Sequence, residues 1–90
     1  MSELRNDTEG QRYEMDEAGQ TSWADYSLRE GRLYILHVES PPALRGTGAA
    51  GRLMAALAED AKVRDLKITP VCGYAAAWLR RSHTYRDLLA

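Results

Sequence analysis

Gly46, Gly48 and Gly51 lie within SPPALRGTGAAGRL (residues 40–53), just before an apolar pattern of helical period. Glycine lets backbone N–H groups approach a phosphate that a Cβ would hold away. The leading N–H groups of a helix have no partners inside it, and the helix dipole adds positive potential. Such a turn can hold an anion such as a pyrophosphate, and Arg45 adds a charge at the same spot. The three glycines also fit G-x-G-x-x-G, but that dinucleotide fingerprint needs its first glycine directly after a strand and an acid ending the next one. Here Pro41 to Arg45 intervene, and LKITPVC ends in Cys72. No Gly-Lys-Ser/Thr follows, so the Walker loop is excluded. The remaining alternative is a plain strand-to-helix connector in which glycine only permits the turn.

The elements around this loop follow from periodicity. Residues 1–11 have little to bury and are expected to form a mobile polar arm, with one domain over 12–90. QRYEM (11–15) reads as a first strand and DEAGQ (16–20) as a turn. SWADYSLRE (22–30) sets Ala24, Tyr26 and Leu28 on one side at period two. Glu30-Gly31 signals a hairpin into RLYILHVES (32–40), whose two faces are both largely apolar, as in a central strand covered on both sides. Pro41-Pro42 ends it. Ala50, Leu53, Met54, Leu57, Ala58 and Ala61 form one stripe of a helix over 49–64. LKITPVC (66–72) reads as a fourth strand and YAAAWLRR (74–81) as a second helix. Thr84 and Asp87 have capping-box spacing for a last turn. The charge pairs Glu59/Lys62 and Asp60/Arg64 read as a solvated helix face. The order β-β-β-α-β-α is α+β, a small mixed or antiparallel sheet with helices packed on it.

Composition narrows the function classes. The chain has 90 residues, 44% of them apolar, and a net charge of −1. That balance argues against a nucleic-acid partner, which calls for a basic stripe. A single cysteine, Cys72, forms no internal disulfide and suits a reducing, cytoplasmic compartment. The polar N-terminus is not a secretory signal, no stretch is long and apolar enough for a membrane span, and no metal is expected.

LHVESPPALRGTGAAGRLMAAL resembles the acetyl-CoA loop of the Gcn5-related N-acetyltransferases, with Arg45, Gly48 and Ala50 at the motif positions and Gly46 and Thr47 between them. The segment from Tyr13 to Leu89 is similar to a short subfamily, the YjdJ-like acetyltransferases. His37, Arg45 to Gly48, Cys72 with Tyr74, and His83 near Tyr85 carry that likeness. The resemblance implies acetyl-CoA as cofactor and an amine acceptor, small molecule or protein, with the chain a monomer or weak homodimer. It implies loop contacts from Arg45, Gly46, Thr47, Gly48, Ala49 and Ala50, backbone contacts from Val38 and Glu39 to the pantetheine arm, and a cofactor contact at Tyr74. Acetyl transfer needs a deprotonated amine, a polarised thioester and a protonated leaving thiolate. His37 is then a candidate base or a half-core histidine beside Leu33 and Ile35. Glu39 acts through water or is a solvated strand end. Cys72 is a nucleophile or a small hydrophobe facing the cofactor. Tyr74 and Tyr85 are thiolate proton donors or aromatic core. A non-catalytic acetyl-CoA module and a cofactor-free interaction domain stay open. Larger relatives have two helices where this chain has DEAGQ, so the acceptor side is expected to be open.

Overall fold

In the computed structural model, which describes residues 4–90, seven elements follow in order. They are β1 (Leu4–Asp7), β2 (Arg12–Glu17), β3 (Gln20–Arg29), β4 (Arg32–Glu39), α1 (Ala49–Val63), β5 (Lys67–Pro70) and α2 (Gly73–Arg81). Short 3-10 turns occupy Pro42–Leu44 and Arg86–Leu88. The five strands form one sheet in sequence order, antiparallel from β1 to β4 and parallel between β4 and β5. Two hairpin turns set the register. Ala18-Gly19 and Glu30-Gly31 all have positive φ, which matches the turn's twist to that of the strands.

The core occupies one face of this sheet. Tyr13, Ala24, Leu33, Ile35 and Ile68 are wholly buried against Leu53, Met54, Leu57, Ala58 and Ala61 of α1. Ala75 and Leu79 of α2 join the same cluster, so both helices pack on that face. The α1 stripe is as expected except that Ala49 is buried, while Ala50 is only half-buried. The opposite face has no helix. Leu36 is 45% exposed there, so β4 is flanked by strands but not covered on both faces. The reason is that the crossover helix α1 and the C-terminal helix α2 have gone to the same side.

A β-bulge interrupts β4. Pairing passes from Asp25↔His37 to Tyr26↔Ile35, which leaves Leu36 without a partner. The extra residue changes the alternation, so Val38 joins Ile35 on the helix face and His37 turns to the helix-free face. The expectation that His37 shares a face with Leu33 and Ile35 is therefore corrected.

Residues 1–3 of the expected N-terminal arm lie outside the described residues, but the rest of it is structured. β1 pairs with β2 from Leu4↔Met15 to Asp7↔Arg12, and Leu4 packs on the core. The Tyr26 hydroxyl donates to Asn6 Oδ1 at 2.6 Å, tying β3 to β1 across β2. The first turn is only Ala18-Gly19, because Asp16, Glu17 and Gln20 are in the ladder. Near the C-terminus, Ser82 Oγ accepts the Tyr85 N–H, and the expected Thr84–Asp87 box does not form.

Replacing Tyr26 with Phe leaves Asn6 without this partner and should cost about 0.5–1.5 kcal/mol in urea unfolding. Amide exchange should rise first at Leu4–Asp7; unchanged exchange there would mean that the hydroxyl does not anchor β1.

Candidate functional site

The parallel ladder between β4 and β5 ends at Ile35↔Pro70. The Ile35 carbonyl accepts the N–H groups of Val71 (2.9 Å) and Cys72 (3.1 Å), and no further rung follows. Beyond that point Leu36 to Glu39 run on without a strand at their β5 side. β4 and β5 thus part beside an open cleft of about 400 Å³.

The glycine loop closes one end of this cleft. After Pro41, the 3-10 turn buries Leu44, and Gly46 (φ 80°) and Gly48 (φ 87°) take left-handed conformations that favour glycine. Gly48 is the N-cap of α1 and supplies no side chain to its free amides. Thr47 folds the loop on itself. Its N–H donates to the Leu44 carbonyl at 3.2 Å, and its Oγ1 accepts the Ala49 N–H at 3.3 Å. Among the described residues, no protein acceptor meets the N–H groups of Gly46, Gly48, Ala50 or Gly51. These four N–H groups are thus free to donate to a ligand. The amides of Thr47 and Ala49 are already engaged, and Ala49 is 2% exposed.

Arg52 fixes the loop from one turn into the helix. Its guanidinium grips Glu17 with bonds of 2.7 to 3.1 Å and donates from Nη1 to the Thr47 carbonyl at 3.0 Å. A Cβ on Gly48 would come within 3.0 Å of that Nη1, a second reason for glycine there.

Val38 lines the cleft on β4, Ser40 just after it, Arg45 on the loop, Ala50 and Gly51 on α1, and Tyr74 on α2. Gly51, Ser40 and Leu44 were not singled out as site residues from the sequence. The signal for Gly51 was present as the third glycine of the rejected fingerprint. A Cβ there would sit 3.5 Å from Trp78 Nε1 and 3.7 Å from the Tyr74 hydroxyl, so glycine keeps the cleft wide between the helices. Partial burial raises the Tyr74 pKa above the ordinary phenol value, with the nearby Cys72 adding to the effect and Arg81 opposing it. The hydroxyl stays protonated at neutral pH.

On the helix-free face a second group of residues is linked. Glu39 Oε1 lies 3.0 Å from His37 Nε2, and Glu39 Oε2 accepts from Arg45 Nη2 at 2.9 Å. These bonds, His37 first and Arg45 second, hold the Glu39 carboxyl below its ordinary pKa. An ionised carboxylate only accepts, so His37 Nε2 is the donor in this contact. Glu39 orients the imidazole and is not a free strand-end acid.

His37, Glu39 and Thr47 do not line the cleft, and two further expected residues lie elsewhere. The Tyr85 hydroxyl donates to Glu59 Oε1 at 2.8 Å, and its ring stacks on Trp78 with centroids 6.1 Å apart. That hydroxyl is several turns of α1 from the glycine loop, and among the described residues Glu59 pairs with it and makes no salt bridge to Lys62. Cys72 is half-buried against the core at the N-cap of α2 and is not a cleft-lining residue. The Asp60–Arg64 pair forms as expected at 3.1 Å, but the carboxylate also accepts the hydroxyl of buried Tyr13 at 2.8 Å. Among the described residues no cluster of His, Cys, Asp and Glu could hold a metal, and no helix is long and apolar enough to cross a membrane.

Glu39 gains its bonds on folding, so its contribution to stability is present above the ordinary carboxylate pKa. It is lost as pH falls through the lowered folded value. In an NMR titration of the Glu39 carboxyl, the midpoint should fall below that of a free glutamate and move up in Arg45→Gln. An unchanged midpoint in that variant would refute the tie.

The chain resembles a solved structure, determined by NMR, of a GCN5-like protein from Staphylococcus aureus assigned to the N-acetyltransferases. The two superpose with a TM-score of 0.70 at 22% identity, over 98% of this chain and 87% of the other. That likeness concerns the fold. A search of curated proteins finds no match. The model of the GCN5-related N-acetyltransferases matches residues 12–88, from the start of β2 to the last 3-10 turn, and the chain belongs to that family.

Proposed function

We propose that the chain is an acetyl-CoA-dependent N-acetyltransferase of the short YjdJ-like kind. The observation that carries this is the group of four unpartnered amides, Gly46, Gly48, Ala50 and Gly51, at the positive end of α1 beside a cleft that leads to the parting strands. Donors so arranged suit a pyrophosphate, and Arg45 adds charge. The unpaired edge of Leu36–Glu39 offers backbone groups to an extended amide-bearing chain, as a strand added to a sheet would use them.

The thioester supplies an acyl group on a good leaving thiol. The chain's own residues divide the proton work across the gap. On the helix-free side His37, oriented by Glu39, presents Nδ1 to take a proton from an amine. On the helix side the Tyr74 hydroxyl, protonated at neutral pH, can return one to the departing sulfur. The position of Tyr74 in the cleft favours it over Tyr85, whose hydroxyl is committed to Glu59. Cys72, outside the cleft lining, fits a packing role better than a covalent one.

Calorimetry with acetyl-CoA tests the binding step. Gly51→Glu should abolish binding by placing a carboxylate among the free amides, yet stabilise α1 by about 0.5–1 kcal/mol because glycine is a poor helix former. Wild-type affinity in that variant would remove the loop from the reading. Thiol release with an amine panel tests catalysis. Tyr74→Phe should lower kcat by about 10²-fold with little change in acetyl-CoA affinity, and Cys72→Ala should keep most of the activity. Binding without turnover, unaffected by His37→Ala, would indicate a non-catalytic acetyl-CoA module.

A further inference from the structure

The helix-free face carries its charges in pairs, with one exception. Arg5 lies against Asp16 at 2.6 Å and Glu14 at 3.4 Å, and Arg12 donates to Asp25 at 2.8 Å. His37 and Arg45 share Glu39. At the β3–β4 hairpin the pattern breaks. Arg29 is directly opposite Arg32, and Arg32 is directly beside Lys67 on β5. Directly paired residues project from the same face, so three cations form one row across three strands. Among the described residues neither arginine has an acid within 4.0 Å, and Lys67 Nζ donates only to the Asp87 backbone carbonyl at 3.1 Å. Like charges directly opposite on a ladder repel.

The next row toward the gap holds Ser27, Tyr34 and Thr69, also in register, so hydroxyl-bearing side chains adjoin the cations. A cavity of about 370 Å³ opens here, lined by Arg29, Arg32, Tyr34 and a single acid, Glu30. Two arginines paired across the ladder beside hydroxyl donors suit the oxygens of a carboxylate or phosphate. An oxyanion between them would replace repulsion with paired hydrogen bonds.

This row is three residues from Ile35 and Pro70, where the strands part, or about 10 Å at the usual strand rise. The helices occupy the other face, and His37 points into this one. We infer that the row is an anion subsite for the acceptor, which is an amine carrying a carboxylate or phosphate on the order of 10–15 Å from its nitrogen, the span from the row to the parting point and on to His37. The inference rests on the acetyl-transfer reading.

The test is thiol release from acetyl-CoA with three matched series of graded length: linear ω-amino acids, ω-aminoalkyl phosphates and alkylamines without an acid group. One acid-bearing series should show a KM at least about tenfold lower than the acid-free amines, at a single preferred length. The better series identifies the acid. Arg29→Gln and Arg32→Gln, both at exposed positions, should each erase that preference while calorimetry finds acetyl-CoA affinity unchanged. Transfer without preference for acids, or preference retained in both variants, overturns the inference and leaves the transfer reading standing. Loss of acetyl-CoA binding in the wild-type chain overturns both. If acetyl-CoA binds but no amine in the panel turns over, a titration with inorganic phosphate decides. NMR shifts confined to Arg29, Arg32, Tyr34 and Lys67 support the subsite, and their absence at tens of millimolar rejects it.

Discussion

The Ile35 carbonyl is the last point at which β4 and β5 grip each other, and the candidate site is arranged around that grip. It accepts two N–H groups, from Val71 and Cys72, where a regular ladder would distribute them. Pro70, its partner in register, has no N–H to extend the pairing, and the bulge at Leu36 bends β4 from the other side. The separation of the strands thus follows from covalent structure and register and does not depend on a mobile loop. Upstream, Leu33 and Ile68 pack against α1 and hold the strands together, so the parting has a fixed starting point.

The glycine loop needs a different kind of support, because its useful donors are the ones the protein leaves unsatisfied. Free amides at a helix N-terminus cost nothing while they face water, but the loop must be held in shape by other groups. Thr47 does this locally through Leu44, and Arg52 does it at longer range by bridging Glu17 and the Thr47 carbonyl. The loop that faces the cleft therefore takes its shape from β2, far away in sequence. Arg45 reaches the other way, to Glu39 and through it to His37, so charge at the loop and the orientation of the imidazole share one carboxylate.

Much of this was legible in the sequence because it depends on local chemistry. Pro41-Pro42 ended β4, Glu30-Gly31 made the hairpin, the apolar stripe from Leu53 to Ala61 made α1, and the glycines marked the loop. What was not legible depends on pairing between distant residues. LRND in β1 has one apolar residue and becomes a strand because β2 offers an edge and Tyr26 a hydroxyl. Tyr85 has a capable hydroxyl in any reading of the chain, and only the tertiary fold gives it Glu59. The side of the sheet to which His37 belongs is set by an insertion in register, which leaves no mark in composition or period. Gly51 was visible but attached to a motif that the chain does not use.

The unpaired Leu36 separates two properties that a regular strand would combine. Removing that one residue would restore simple alternation while leaving Ile35, His37 and Val38 on the faces they now occupy. The strand would straighten, but the identity of the groups facing each compartment would not change. The course of β4 and the facing of its side chains are thus written at different positions of the strand.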